Sequence, residues 1–213
     1  MARRIGSDGT RTRIAIRDAA IRLIANVGYE ALSMRRLAEE VGLGAAALYR
    51  YFPTKQAMLF DLLKDHMDDL LSSWADADPG PQPTPTERLR AFATFHMRHH
   101  YTRADSLFLS YMELRSLDAE NFARIEDLRR AYEHAIADIV AAGVDSDDFR
   151  PQNPRVTARA IIAMLNGLPV WFREGGSLDR ASVEALYLNM VAGLVGISDT
   201  QTETKDTECF TPA

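Results

Sequence analysis

The sequence predicts an all-α protein with a small N-terminal three-helix domain and a larger helical C-terminal domain. Apolar residues recur at spacings of three and four along most of the 213 residues, and few stretches alternate as strands do. Prolines at positions 79, 81, 83 and 85 interrupt this pattern and predict a connecting loop. Charge also divides the chain into a basic N-terminal segment and an acidic remainder.

The N-terminal domain, residues 1–53, is predicted to hold helices over residues 10–27, 34–41 and 45–51. Gly28 ends the first helix and Ser33 is a favourable N-cap for the second. Gly42 and Gly44 predict a tight turn into the third helix, which Pro53 stops. The apolar face of the first helix is assigned to Ile14, Ala20, Ile21, Ile24 and Ala25.

The C-terminal domain, residues 54–197, is predicted to contain six helices. Thr54 caps the first of them, which runs to about Trp74. Thr84 begins the second, with Pro85 in its first turn and Glu87 three residues after the cap. The predicted ranges are 86–102 for this second helix, then 105–116, 119–142, 154–173 and 180–197. Residues 198–213 are polar and aperiodic, which predicts a disordered tail.

Composition limits the class of protein. Apolar residues make up 46% of the chain, enough for a sizeable core, and Cys209 is the only cysteine, which excludes an intramolecular disulfide and fits a reducing compartment. Residues 1–6 have no apolar run behind their charges, so we expect no signal peptide. No apolar stretch approaches the roughly 20 residues of a membrane span. We therefore expect a cytoplasmic protein.

The charge distribution points to nucleic acid. Residues 1–55 contain ten Arg and Lys against five Asp and Glu, a net charge of +5, and the remainder carries −10 within a total of −5. Phosphate attraction is local, so an acidic chain can still carry a DNA-binding segment. A short helix, a glycine-containing turn and a second short helix in this segment predict a helix-turn-helix. Its helices are expected to pack through Leu37, Ala38, Val41, Leu43 and Leu48.

The segment 32–55 resembles the signature of the TetR family of transcriptional regulators. The most specific part is Leu48-Tyr49, followed by Tyr51-Phe52 and Lys55, and the close resemblance covers about residues 10–60. It implies a homodimer that binds double-stranded operator DNA and, as a family expectation, represses transcription. The residues assigned to DNA are Arg3, Arg4, Ser33, Arg35, Arg36, Gly44, Ala45, Ala46, Tyr49, Arg50, Tyr51 and Lys55.

Within that set, the resemblance assigns Tyr49, Tyr51 and Lys55 to phosphates, while the two N-terminal arginines are expected in a minor groove. The third helix begins Gly44-Ala45-Ala46, without a hydrogen-bonding side chain, and alanine cannot read guanine or adenine bidentately. Specificity must then come from Arg35, Arg36 or Arg50, from close approach of the backbone, or from DNA shape, and we predict a large contribution from shape. The alternative for the whole motif is a helical hairpin with no role in nucleic-acid binding.

The C-terminal domain is predicted to bind a small apolar or amphipathic ligand. By resemblance, TetR-like proteins bind small molecules there, and binding displaces the two DNA-reading units. Large adaptable side chains recur at helical spacing, although the same pattern builds a filled core. The residues assigned to the ligand are Met67, Phe92, Phe95, His96, His99, Phe108, Met112, Met164 and Trp171.

Two local patterns refine this prediction. His96, His99 and His100 form a cluster with a spacing that can bind metal, but no cysteine or carboxylate shares the turn, so we expect polar pocket or surface histidines and no metal or cofactor. Residues 168–178 are similar to the corresponding region of TetR relatives that respond to acyl-coenzyme A thioesters. That stretch either belongs to an acyl-CoA site or only builds a turn between helices.

The last two helices carry stripes of small and apolar residues that predict a two-fold four-helix interface. The interface is assigned to Ala163, Gly167, Val170, Leu186, Met190, Gly193 and Leu194. The alternative is that these stripes are buried within one chain, but two DNA half-sites require two DNA-binding domains.

Two other classes of function compete with a ligand-released repressor. One is a DNA-binding regulator without a small-molecule ligand, acting constitutively or through a protein partner, and a fully filled C-terminal core favours it. The other is a helical enzyme, which we do not expect because no catalytic arrangement of residues is visible.

Overall fold

The computed structural model describes residues 7–197. Within this range the chain is helical throughout, with nine α-helices and no β-strand. The helices are α1 (Ser7–Val27), α2 (Met34–Glu40), α3 (Ala45–Tyr51), α4 (Lys55–Ala77), α5 (Pro85–Tyr101), α6 (Ala104–Met112), α7 (Ala119–Asp145), α8 (Pro154–Trp171) and α9 (Arg180–Val195), with a 3₁₀ turn at Leu114–Ser116. The all-α prediction is confirmed; the predicted tail, 198–213, lies outside the described residues.

The caps that were read from the sequence set most helix ends. Ser33 Oγ accepts a hydrogen bond from the Arg36 amide at 3.1 Å, and Thr84 and Glu87 form a complete capping box. Gly42 has φ +68°, a conformation that a side chain disfavours, so the turn between α2 and α3 requires it. Helix α4 continues one turn beyond the predicted end at Trp74, because the first proline comes only at Pro79.

The buried face of α1 differs from the predicted one. Ile14 is 50% exposed, whereas Ile16 and Ala19 are buried together with Ala20 and Ile24. Helix α1 packs against both α2 and α6, and these neighbours cover a stripe that is rotated away from Ile14. The periodicity predicted helix α1 correctly, but the positions of α2 and α6 around it determine which of its residues are buried.

Helices α4 to α9 form a bundle around α7, which packs on α4, α5 and α8. Its core contains large apolar side chains such as Phe92 and Phe149. Phe149 lies directly against the Cα of Gly143, where a Cβ would overlap its ring. Unusually for a core, it also contains four buried histidines, His66, His96, His99 and His100. Across residues 7–197, the helices are too short or too polar for a transmembrane segment.

Candidate nucleic-acid interface and ligand cavity

The helix-turn-helix is held together from inside and leaves its polar residues outside. Leu37, Ala38 and Leu48 are fully buried, which confirms their predicted role in joining α2 and α3 to α1. Arg36 and Arg50 are exposed, and the exposed Arg35 pairs with Glu39 at 3.1 Å. Arg3 and Arg4 lie outside the described residues.

The first turn of α3 is open on its outer side. Gly44, Ala45 and Ala46 are all exposed, and Gly44 gives the helix no side-chain cap. Gly44 has φ −71°, and a Cβ added there would meet no described atom within 4 Å. The fold itself therefore does not require glycine at this position, in contrast to Gly42. The missing side chain leaves room for a molecule outside the chain.

The aromatic and basic residues after this turn differ in exposure. Tyr49 is 47% exposed, whereas Tyr51 is half-buried and packs on the core. The Lys55 ammonium donates to the Glu30 carbonyl oxygen at 3.2 Å and lies 4.1 Å from the centre of the Tyr29 ring. These contacts fix the ammonium at the start of α4, where two of its three N–H donors are still available.

A cavity of about 450 Å³ lies between α4, α5, α6, α7 and α8. Such a volume is typical of a small-molecule site. Its apolar wall includes Met67, Leu70, Leu107 and Ile162. Its polar lining consists of His66, His96, His100, Ser110, Tyr111, Tyr132 and Asn166, with Glu126, Arg129, Arg130, Glu133 and Arg159 also on the wall.

Two of the nine residues assigned to the ligand, Met67 and His96, line this cavity. Phe92 is fully buried outside it, with its ring centre 4.9 Å from Trp74 and 5.2 Å from Tyr132. The remaining six lie elsewhere in the fold. Phe95 packs on Trp74 and His99, His99 faces Asp69, Met164 is half-buried against the core, Trp171 donates to the Tyr187 hydroxyl, and Phe108 and Met112 lie on the surface.

Phe108 and Met112 line another groove, of about 600 Å³, between α6 and α8. The same groove is lined by Ala163, Gly167 and Val170, which were assigned to the dimer interface. The structure thus joins parts of two predicted sites on one apolar surface.

The sequence analysis missed His66, Tyr111 and Asn166 as cavity residues. His66 carries no sequence signal, because its neighbours on α4 are ordinary core and surface residues. Asn166 did carry one, since it is the only polar residue in the otherwise apolar stretch 160–170. A lone polar side chain in such a run usually has a buried partner.

A chain of hydrogen bonds crosses the polar side of the cavity. His96 Nδ1 lies 2.9 Å from the Tyr132 hydroxyl, and His96 Nε2 lies 2.9 Å from Asn166 Oδ1. Asn166 Nδ2 in turn donates to the Tyr111 hydroxyl at 2.6 Å. Burial lowers the pKa of both His66 and His96 to about 4, so both rings are neutral near pH 7. Among residues 7–197 no group of histidine, cysteine and carboxylate side chains is arranged to hold a metal.

Comparison with known proteins identifies the family. Residues 16–62 match the model of bacterial regulatory proteins of the tetR family, and residues 82–195, more than half of the chain, match the tetracyclin repressor-like C-terminal domain. The chain belongs to the TetR family. It is therefore a DNA-binding transcriptional regulator and not an enzyme, as the signature in residues 32–55 predicted.

Relatives of this TetR-family chain span nearly all of it. The transcriptional repressor KstR2 of Mycobacterium tuberculosis is 27% identical over 180 residues, which cover 83% of this chain and 88% of KstR2. A tetR-family regulatory protein from Rhodococcus RHA1 superposes with a TM-score of 0.83 at 29% identity, covering 88% and 98% of the two chains. AibR in complex with isovaleryl coenzyme A and operator DNA gives a TM-score of 0.75 at 25% identity, covering 86% and 98%.

Most of the predicted dimer residues of this TetR-family chain are exposed on α8 and α9. Val170 is 71% exposed and Met190 50%, Ala163, Leu186, Gly193 and Leu194 are also exposed, and Gly167 is half-buried. A Cβ at Gly167 or Gly193 would meet no described atom within 4 Å, so this chain gives neither glycine a packing role. Glycine inside a helix costs about 1 kcal/mol relative to alanine, and close approach of another helix would offset that cost.

Two sets of contacts connect α1 and the turn that follows it to the helices around the cavity. Arg13 and Arg17 on α1 pair with Asp61 on α4 at 2.5 and 3.0 Å, and Arg17 also pairs with Asp65 at 2.5 Å. At the end of α6, a Glu113 carboxylate oxygen accepts from the Tyr29 amide at 3.0 Å. Helices α4 and α6, which both line the cavity, are therefore also helices that contact the N-terminal unit.

Proposed function

We propose that this protein is a homodimeric transcriptional repressor that leaves its operator when a small amphipathic ligand fills the cavity between α4 and α8. The observation that carries this proposal is the placement of the cavity. Two of its five helices, α4 and α6, also hold α1 through the Arg13, Arg17 and Glu113 contacts. A ligand that shifts either helix would change the spacing of the two helix-turn-helix units in the dimer.

The DNA-binding part of the proposal follows the surface of the helix-turn-helix. We infer that α3 enters the major groove with Gly44, Ala45 and Ala46 closest to the bases. Tyr49, Tyr51 and Lys55 then contact phosphates, and Ser33, Arg35, Arg36 and Arg50 flank them. Ser33 Oγ already accepts a backbone bond, but its hydroxyl hydrogen is still available to donate to a phosphate.

Because α3 begins without hydrogen-bonding side chains, DNA shape carries much of the specificity in this proposal. A binding series on operator variants tests this point. We expect Arg35→Ala to change the order of preference among sequences more than substitutions of the α3 alanines. The reverse order of effects would contradict a large contribution from DNA shape.

The alternative, a regulator without a small-molecule ligand, expects a filled C-terminal core. A cavity of about 450 Å³ with a polar side and an apolar side supports the ligand instead. An acyl-CoA thioester is the specific candidate. AibR is a structural relative in complex with isovaleryl coenzyme A, and Arg130 and Arg159 at the cavity give the phosphates of such a ligand basic partners.

The dimer in this proposal buries the exposed face of α8 and α9, including Gly167 and Gly193. Members of the TetR family bind operator DNA as homodimers. The exposed apolar residues of this face also match what a two-fold four-helix interface requires. The groove that contains Phe108 and Met112 adjoins this face through Ala163, Gly167 and Val170. We therefore assign these two residues to the margin of the dimer.

Fluorescence anisotropy with the full-length chain and DNA from its own promoter tests the proposal. We expect nanomolar binding at low salt and release on titration with isovaleryl coenzyme A or a longer acyl-CoA. Absence of promoter binding would refute DNA recognition. Tight DNA binding that no acyl-CoA changes, combined with no calorimetric signal at high micromolar concentration, would refute that ligand class.

A cavity-filling variant separates ligand binding from DNA binding. Ile162→Trp places a large side chain into the cavity, and we expect it to bind the promoter but to lose release by ligand. Ala142→Trp, on the exposed side of α7, is the matched control and should respond as the wild type does. Equal release of both variants would show that the ligand binds elsewhere.

A further inference from the structure

The polar wall of the cavity contains a histidine nitrogen without a partner. His100 Nδ1 lies 2.9 Å from the carbonyl oxygen of His96, which can only accept, so Nδ1 carries the hydrogen. His100 Nε2 is then a lone-pair acceptor. It is buried, and no atom within residues 7–197 forms a hydrogen bond with it. The Nε2 atom itself is covered, but His100 is one of the residues that line the cavity, so a small shift of the wall would let a donor inside the cavity reach it.

His96 cannot supply that donor. The Asn166 carboxamide oxygen accepts from His96 Nε2, and His96 Nδ1 accepts from the Tyr132 hydroxyl, so both nitrogens of His96 are occupied. The chain continues from Asn166 Nδ2 to the Tyr111 hydroxyl, whose own hydrogen remains available on the cavity wall. This side of the wall therefore has an unused acceptor on His100 and an unused donor on Tyr111, beside the charged side chains of Glu126, Arg129, Arg130, Glu133 and Arg159.

The electrostatic surroundings keep His100 unprotonated. Burial, reinforced by His96 and His66, holds the pKa of His100 well below its usual value. The ionisable groups around the cluster are His66 and Asp69 from α4, His96 and His99 from α5, Arg103 after α5, and Arg129 from α7. Glu126, Arg130 and Glu133 from α7 and Arg159 from α8 also line the cavity, but burial has the largest effect on the pKa of His100 and maintains a neutral acceptor.

We propose that the cavity selects a ligand that carries an O–H group, which donates to His100 Nε2 while the apolar part of the ligand packs on Met67, Leu70, Leu107 and Ile162. The O–H belongs either to a hydroxyl group or to a carboxyl group. A carboxylate ligand takes up one proton from solvent on binding, and this proton is shared between a carboxylate oxygen and His100 Nε2. A ligand with a hydroxyl group takes up no proton. This inference rests on the ligand site of the proposed function and narrows its chemistry.

The requirement distinguishes among acyl-CoA ligands as well. An unsubstituted acyl chain such as isovaleryl has no O–H group and leaves His100 Nε2 without a partner. An acyl chain with a hydroxyl or carboxyl substituent supplies one. We therefore expect substituted chains to bind more tightly than unsubstituted chains of the same length.

Calorimetry on the full-length homodimer with octanoic acid, 1-octanol and methyl octanoate tests the inference, because the ester cannot donate. At pH 7 we expect the alcohol to bind at least about tenfold more tightly than the ester, whereas the acid carries the cost of taking up a proton. Titrations in two buffers of different ionisation enthalpy should show uptake of about one proton with the acid and none with the alcohol. Raising the pH from 7 to 8 should weaken the binding of the acid about tenfold and leave the binding of the alcohol unchanged.

His100→Phe keeps a ring of similar volume and should abolish both the preference for the alcohol over the ester and the proton uptake with the acid. His99→Phe, whose ring lies behind the wall and faces Asp69, is the matched control and should keep both. Equal affinity of the wild type for alcohol and ester, or no binding of the alcohol, overturns the inference. The proposed function survives that result if the ester or an unsubstituted acyl-CoA still releases promoter DNA, and it fails separately if the promoter is not bound at all.

Discussion

Replacing Gly44 by serine should separate the stability of the fold from its affinity for DNA. Gly44 has an ordinary φ of −71°, has room for a Cβ, and gives α3 no side-chain cap. Serine supplies that cap and stabilises a helix by a few tenths of a kcal/mol relative to glycine. In a chain of this size such a gain raises Tm by about 1 °C.

Operator affinity should move in the opposite direction. If the start of α3 lies against DNA, a serine side chain blocks the close approach and occupies amide N–H groups that would otherwise donate to phosphate. Losing one charge-assisted hydrogen bond costs about 1.5 kcal/mol or more in each head. Two heads give about 3 kcal/mol, which raises Kd by a factor on the order of 100.

Differential scanning calorimetry and fluorescence anisotropy measure the two effects on one sample of Gly44→Ser. Gly44→Ala is the matched control, because it adds the Cβ without the capping hydroxyl and should lower stability. An operator Kd for Gly44→Ser within about twofold of the wild type would refute the placement of α3 against DNA. A fall in Tm would refute the statement that the fold leaves room at this position.

Three further predictions concern the DNA-binding residues, the dimer interface and the buried histidines. Lys55→Ala and Tyr49→Phe should weaken binding to specific and non-specific DNA alike, and each lost phosphate contact should lower the salt slope by about one; a loss confined to certain sequences in salt titrations would contradict phosphate contact. The Gly193→Gln side chain has room in the single chain but should block the α8–α9 face. Sedimentation should then show monomers, and operator binding should weaken more than about 100-fold. A stable dimer would refute the assignment of the interface to this face. His66 and His96 have pKa values of about 4 in the folded chain, so both bind protons more readily when the chain is unfolded. The free energy of unfolding, measured by denaturation, should therefore fall between pH 6.5 and 4 by on the order of 3 kcal/mol for each histidine. An equal free energy of unfolding at pH 7 and pH 5 would show that the two rings are not buried in their neutral form.

Local signals predicted the helix-turn-helix well because its geometry is set by neighbours in sequence. The range Ala45–Tyr51 was predicted to the residue, and the Thr84–Glu87 capping box is present as predicted. The boundary at residues 53 and 54 stays a prediction. The interdomain pairs of Arg13 and Arg17 with Asp61 were not predicted, since they join residues more than 40 positions apart.

The ligand site shows why residue type was a poor guide to position. Phe92 and Met67 are both large apolar residues at helical spacing, yet one is enclosed by aromatic rings and the other lines the cavity. Which inward-facing side chain meets an empty space depends on the angles between α4, α5 and α7. The periodicity of a single helix carries no information about those angles.

By itself, the sequence determined the helical class, the family and the range of α3, because caps, turns and apolar periodicity act over a few residues. Only the tertiary structure decided which side chains surround the cavity, that four histidines are buried beside it, and that His100 Nε2 has no partner there among residues 7–197. These features arise where distant helices meet, and burial from all sides changes the chemistry of a histidine more than any neighbour in sequence does.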